Sequence, residues 1–182
     1  MTPEAKLESA PNGLQPADEG WFVLNVVDAA WWSSAQYGDY CAFEKRGGAR
    51  FPHLGLNVHV LQPGQPSCMY HRESLQEDFL VLSGECLAIV EGQERPMKAW
   101  DLLHCPPGTD HVFVGAGSEP CVLLMMGARG KDAAITYPVN EVARRHGAGV
   151  AAETSDPKAA YAGVAPPVPA EKPAWPRRPE RR

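Results

Sequence analysis

No run of about 18 apolar residues occurs in the sequence, so no membrane-spanning helix is expected. The first ten residues, Met-Thr-Pro-Glu-Ala-Lys-Leu-Glu-Ser-Ala, lack the apolar centre of a secretion signal, and a soluble cytoplasmic protein is the expectation. Positive charge is in short supply: 17 Lys and Arg stand against 22 Asp and Glu, giving a formal net charge of −5, and the basic residues do not cluster before the C-terminal tail. Nucleic acid is therefore not an expected partner. Cysteine is also sparse. The five residues Cys41, Cys68, Cys86, Cys105 and Cys121 are an odd number without the spacing of a small disulfide scaffold, which points to reduced thiols. No phosphate-cradling glycine loop precedes a helix, and neither a Gly-x-Ser-x-Gly elbow nor a dinucleotide fingerprint occurs, so nucleophilic acyl transfer and nucleotide cofactors find no support. No repeat with a period of about 20–50 residues is present either, which favours one folding unit.

The 182 residues suffice for one domain with a sizeable core plus tails. Residues 1–19 are polar and aperiodic and read as a disordered tail. Residues 163–182, with six prolines and five Lys or Arg, read as a disordered, basic, Pro-rich tail in which Trp175 alone invites docking. Between them, residues 20–135 carry short apolar or alternating runs separated by turn residues, the rhythm of a sandwich or barrel. The predicted strands are Trp21–Val27, Tyr40–Glu44, Leu56–Gln62, Ser67–Arg72, Asp78–Leu82, Glu85–Glu91, Gln93–Lys98, Asp101–Cys105, His111–Val114 and Cys121–Gly127, with hairpins at Ser83-Gly84 and Glu91-Gly92-Gln93. Residues 136–162 turn helical: one helix opens at Tyr137-Pro138-Val139 and ends at Gly147, and a second runs from Pro157 to Tyr161 under an Asp156 cap. Both helices are expected to pack on the outside of the barrel.

Chemistry concentrates in two segments. On a strand, His71 and Glu73 leave the same face, and Glu77 opens the next apolar run. Downstream, Pro106-Pro107-Gly108-Thr109-Asp110 turns sharply and delivers His111 at the head of Val112-Phe113-Val114. His71, Glu73, Glu77 and His111 are therefore the candidate ligands of one divalent metal ion. Two imidazoles and two carboxylates suit Zn, Fe, Mn, Ni or Co, and if Glu73 stays unbound the remaining two His and one Glu leave open positions for substrate. Glu73 is then a free base beside the metal or a hydrogen-bond partner of a ligated His. A competing zinc site would draw on Cys68, His71, Cys105 and His111, but strand parity points Cys68 away from His71. His104 and Glu73 are the candidates for proton transfer. Tyr70 and Asp110 lie near the ligands in sequence, on the outward parity and in the turn respectively. Arg72 reads as a surface charge or oligomer contact, and Trp31-Trp32 and Trp100 as core or dimer interface, with Trp100 alone also a candidate lid over the pocket.

The two segments resemble the paired motifs of the cupin superfamily. Gly64, His71, Glu73, Glu77 and Gly84 follow the first motif and Pro106, Gly108 and His111 the centre of the second, over roughly Leu56 to Met126. Three positions depart from the pattern: Glu73 replaces a second His, Trp100 stands where Gly is usual, and Gly115 where Asn is usual. The resemblance implies an all-β fold, a double-stranded β-helix or jelly roll, with short C-terminal helices outside it. It also implies a metal-binding protein that acts on a small oxygenated organic molecule by oxygenase- or isomerase-type chemistry, and a homodimer paired through Trp21–Val27. The alternative within the same resemblance is a non-catalytic module that binds a small molecule or keeps the metal for structure.

Overall fold

The computed structural model describes residues 1–45, 47–48, 50–171 and 173, so the docking expectation for Trp175 lies outside the described residues. In chain order the elements are β1 (Leu7–Ala10), β2 (Gly13–Pro16), a 3-10 turn at Val26–Asp28, β3 (Trp31–Ser34), β4 (Gly38–Ala42), β5 (Leu54–Leu61), β6 (Arg72–Glu73), β7 (Glu77–Ser83), β8 (Glu85–Val90) and β9 (Gln93–Lys98). They continue with β10 (Leu102–Cys105), β11 (His111–Ala116), β12 (Cys121–Ala128), β13 (Ile135–Thr136), α1 (Glu141–Arg145), α2 (Pro157–Ala160) and β14 (Val168–Pro169). A seven-stranded sheet in the order β10-β7-β12-β5-β4-β3-β14 faces a three-stranded sheet in the order β11-β8-β9, the two walls of a double-stranded β-helix. Among the described residues no helix is long and apolar enough to cross a membrane.

Strand parity builds the interior. Along β11, His111 and Phe113 point between the sheets, where Phe113 packs with Phe79, Val81, Cys86, Ala88 and Leu123. Val112 and Val114 point outward, yet they are buried as well, against Ala143 of α1 and Ala148. A strand covered on both faces reads as a continuous apolar run, as Val112-Phe113-Val114 does. The outer face of the large sheet is sealed in the same way by Trp31, Val58, Val60 and Val122. Glu91 and Gly92, with φ of 50° and 70°, form the two-residue turn joining β8 to β9, the left-handed pair that matches strand twist in a tight hairpin.

Several local expectations are corrected. Trp21–Val27 is not a strand: Trp21 makes a single bridge to Glu4, and the chain then runs into the 3-10 turn capped by Asn25. Residues 7–16, expected in an aperiodic tail, pair as a hairpin in which Leu14 O and Asn12 O accept from Ala30 N and Trp31 N. Ser83-Gly84 does not close a hairpin. It carries the chain from the large sheet to the small one, with Gly84 at φ 73° pressed against the Pro120 carbonyl. Helix α1 starts later than Pro138, because Asn140 caps it by accepting from Ala143 N, while Tyr137 is held by a bridge to Thr154. Helix α2 has the expected Asp156 cap, accepting from Lys158 N.

The segment Ser67–Arg72 departs furthest from its expected strand. Pro66 pairs with Val114 and His71 with His111, so five steps along one strand face three along the other. Two extra residues bulge out, and Tyr70 N bonds Ala148 O instead of the neighbouring strand.

Candidate metal centre

The irregular strand and β11 bring the two histidines together directly. His71 and His111 form a mutual backbone pair, His71 N to His111 O at 3.1 Å and His111 N to His71 O at 2.8 Å, and their rings lie 4.7 Å apart. Residues bonded across antiparallel strands share a face, so both imidazoles enter the barrel. Glu77, the first residue of β7, reaches the same point: His111 Nε2 and Glu77 Oε2 are 3.4 Å apart, and one donor atom from each of His71, Glu77 and His111 lies within 4.8 Å of the other two.

The backbone sets the tautomers. Nδ1 of His71 meets Met69 O at 2.8 Å, and Nδ1 of His111 meets Thr109 O at 3.0 Å. A carbonyl only accepts, so each Nδ1 carries its hydrogen as donor, and Nε2 is the nitrogen through which each neutral ring can bind a cation. The Pro106-to-Asp110 turn thus does more than aim His111, since its Thr109 carbonyl also fixes the ring.

Burial dominates the electrostatics. It pushes the Glu77 carboxyl up to about 7, assisted by the nearby negative charge of Glu73 and opposed by His71. It pushes His111 down to about 3, with repulsion from His71 adding to the effect. For His71 burial works downward too, but Cys68 and Glu77 outweigh it and raise the imidazole to about 9. Glu77 and His111 thus resist carrying charge in the metal-free cluster, and a divalent cation in place of the His71 proton would compensate the Glu77 carboxylate. The donors fit such an ion: two imidazoles and one carboxylate form a two-His, one-carboxylate set with room for further ligands.

His71, Glu77 and His111 line a cavity of about 550 Å³. Its floor is aromatic, with Phe79 4.9 Å from the His111 ring and 4.6 Å from Phe113. At the rim Arg129 is tied down, donating to both Glu44 oxygens at 2.5 and 2.8 Å and to Phe51 O at 2.9 Å. Burial of Glu44 works against its charge, but the Arg129 guanidinium prevails and holds the carboxyl below its ordinary value.

The remaining predicted residues divide clearly. Glu73 lines the same cavity from β6, outside the three-residue donor group. His104 lies on the outside of β10, bonded to Asp78 at 2.6 Å, and does not reach the cavity. Arg72 pairs with Asp110 at 3.1 Å, and Tyr70 is buried in the cluster beneath α1 with its hydroxyl accepting from Gly92 N. Trp100 is no lid: it is 76% exposed in the turn between β9 and β10, away from the cavity lining. Trp31 is core. Cys68 reverses its expected direction, because the bulge breaks strand parity and brings Sγ to 3.6 Å from His71 Nδ1 and into the cavity wall. Cys105 is packed in the core, so the two-Cys, two-His set does not assemble among the described residues. Sequence reasoning missed Asn57 and His59, which line the cavity from β5. The signal was present: two polar residues two apart share one face of an otherwise apolar strand.

The cupin domain family matches residues 57–127. Comparison with curated proteins gives no match. Among solved structures, the chain is similar to a sugar phosphate isomerase from a cupin superfamily of Silicibacter pomeroyi DSS-3, with 23% identity, 62% of this chain and 79% of that chain covered, and a TM-score of 0.53. It is also similar to a conserved protein with a double-stranded β-helix domain from Klebsiella pneumoniae subsp. pneumoniae MGH 78578, with 22% identity, 62% and 95% covered and a TM-score of 0.51. A third, a polyketide cyclase from Streptomyces resistomycificus, shows 16% identity, 59% and 79% covered and a TM-score of 0.50. These three likenesses are likenesses of fold. The matched segment contains both motifs, with His71, Glu77 and His111, and most of the strands around them, so residues 57–127 form a cupin domain.

Proposed function

We propose that this cupin is a metal-dependent enzyme of isomerase type acting on a small hydroxylated carbonyl compound. His71, Glu77 and His111 hold a divalent ion and Glu73 serves as the proton-transfer base. The observation that carries the reading is the convergence of His71, Glu77 and His111 donor atoms on one point, with both Nδ1 atoms engaged by backbone carbonyls. A divalent ion held there would polarise an oxygen of the substrate as a Lewis acid. The protein contributes the rest. Phe79 and Phe113 keep bulk water from the floor, the carbonyls of Met69 and Thr109 hold the imidazoles in register, and Glu73 presents a carboxylate to the same cavity. A carboxylate beside a polarised carbonyl is the arrangement that removes a proton from the adjacent carbon and returns it elsewhere. This favours proton transfer over oxygen activation. The protein is proposed to work as a homodimer, the state the cupin resemblance implies, although Trp21–Val27 is no pairing strand.

Two measurements test the reading. Metal content per chain, by inductively coupled plasma mass spectrometry, is expected near one in the wild type and in Glu73→Gln, and near zero in His111→Ala. In deuterated water, metal-loaded protein is expected to exchange the carbon-bound hydrogen of a member of a panel of hydroxy-aldehydes and hydroxy-ketones, sugar phosphates included. Glu73→Gln abolishes the exchange while keeping its metal. Stoichiometric metal without exchange on any panel member would favour the non-catalytic binding module, and loss of metal in Glu73→Gln would make Glu73 a ligand.

A further inference from the structure

A second chamber of about 380 Å³ lies behind the first, and His59, Ser67, Cys68 and Tyr161 are walls of both. Its outer side is closed by Val164 to Pro167, the stretch leading into β14, where Val168 and Pro169 pair with β3. Two polar side-chain atoms among the described residues are buried without a hydrogen-bond partner, Tyr37 Oη and His59 Nδ1, and both residues line this chamber. Tyr37 is only 7% exposed, and the His59 ring is stacked on Tyr40 at 5.4 Å. A buried polar atom left unpaired costs about 1–3 kcal/mol, so two of them at one cavity mark a surface shaped to be satisfied by something else.

We propose that this chamber is the second half of the ligand site and takes an uncharged planar ring bearing a hydroxyl group, hydrogen-bonded by Tyr37 and His59. The ligand's oxygenated end extends past Cys68 and Tyr161 to His71, Glu77 and His111, and for that end alone the inference rests on the metal-centre reading. Three features define the chemistry. Among the described residues lining the chamber none is Asp, Glu, Lys or Arg, so nothing there pairs with an ionised group. Burial keeps both polar residues neutral, raising the Tyr37 phenol to about 12 and lowering the His59 imidazole to about 4. A phenol and a neutral imidazole both donate and accept, and a hydroxyl does the same. Among the other walls, Tyr40, Tyr161, Pro166 and Pro167 contribute rings, beside the small side chains of Ser34, Ser67 and Cys68. An apolar cavity of about 150 Å³ is known to accept a benzene ring, so the chamber has room for a substituted ring.

The test uses phenol and toluene as probes, titrated against the full-length protein by ligand-observed NMR, with and without EDTA. Phenol is expected to bind more tightly than toluene in the wild type. Tyr37→Phe should weaken phenol about tenfold, the equivalent of one hydrogen bond of about 1.4 kcal/mol, and leave toluene unchanged. His59→Leu should weaken phenol in the same direction. The melting temperature of Tyr37→Phe should be unchanged or higher, because the substitution removes an unpaired buried hydroxyl without opening a cavity. Equal binding of phenol and toluene, undiminished phenol binding by Tyr37→Phe, or a fall in its melting temperature would each overturn the proposal, the last by giving the hydroxyl a structural role. Phenol discrimination that survives EDTA supports the chamber on its own account, whereas failure of the metal-centre reading appears separately as absent metal.

Discussion

Trp100 occupies a backbone position that favours glycine. Its φ of 76° is in the left-handed region, where a side chain costs about 1–2 kcal/mol, and the ring itself is largely in water. Trp100→Gly is therefore expected to stabilise the protein by roughly 0.5–1 kcal/mol after the entropy of the freed glycine is deducted, seen as a higher urea midpoint at unchanged slope. Gly115 is the opposite case: its φ is ordinary, but a Cβ there would collide with the Gln62 carbonyl, so close approach and not conformation accounts for the glycine. At the metal centre the pH dependence follows from the protons to be displaced. In the metal-free cluster His71 titrates at about 9 and Glu77 at about 7, while His111, at about 3, is already neutral. Metal affinity should rise about a hundredfold per pH unit below about 7, about tenfold per unit from there to about 9, and level off above. A competition titration against a chromophoric chelator across that range checks it, and a flat profile contradicts it. The convergence of His71, Glu77 and His111 was legible in the sequence because spacing and the Pro-x-Gly turn carried it. The direction of Cys68 was not, since parity arguments assume an unbroken strand and Ala148, far along the chain, breaks this one by taking the Tyr70 amide.

The N-terminal hairpin shows how an element escapes a search for periodicity. Four-residue strands are too short to alternate convincingly, and the available cue was the turn signal Pro11-Asn12-Gly13 between them. Gly13 sits at φ 135°, where a Cβ would overlap the Ala29 carbonyl, so the hairpin lies tightly on the chain entering β3. Deleting residues 1–19 should lower the melting temperature by uncovering Ala29 and the Trp31 amide, yet leave metal per chain unchanged, since none of the ligands touches the hairpin. Loss of metal in the deletion variant would link this hairpin to the site. The start of α1 was misplaced for a related reason. Proline favours the first turn of a helix, but Tyr137 is engaged with Thr154 on both its amide and its carbonyl, and the helix waits for Asn140.

At the scale of the whole molecule the jelly roll was legible from strands at regular intervals and one pair of motifs, as was the placement of α1 outside it, whereas the hold of residues 135–161 on the His71 arm was not, because it runs through contacts to the arm's backbone that leave no pattern in the sequence. Metal should tie the barrel together. With free metal at about 100 times its dissociation constant, the native state gains about 2.7 kcal/mol, so EDTA should lower the melting temperature of the wild type and leave that of His111→Ala where it is.

All the proposed ligands are synthesised by the time the ribosome has added His111, but the arm that carries His71 is held by later chain. Met69 N donates to Tyr161 Oη, Tyr70 N to Ala148 O, and β6 pairs with β13. A nascent polypeptide therefore possesses every donor atom before it possesses the clamp that orients them. Metal insertion is therefore expected to follow release of the C-terminal extension from the exit tunnel, and a message with a premature stop codon between His111 and Ala148 is expected to yield a chain that has His71, Glu77 and His111 but takes up no metal.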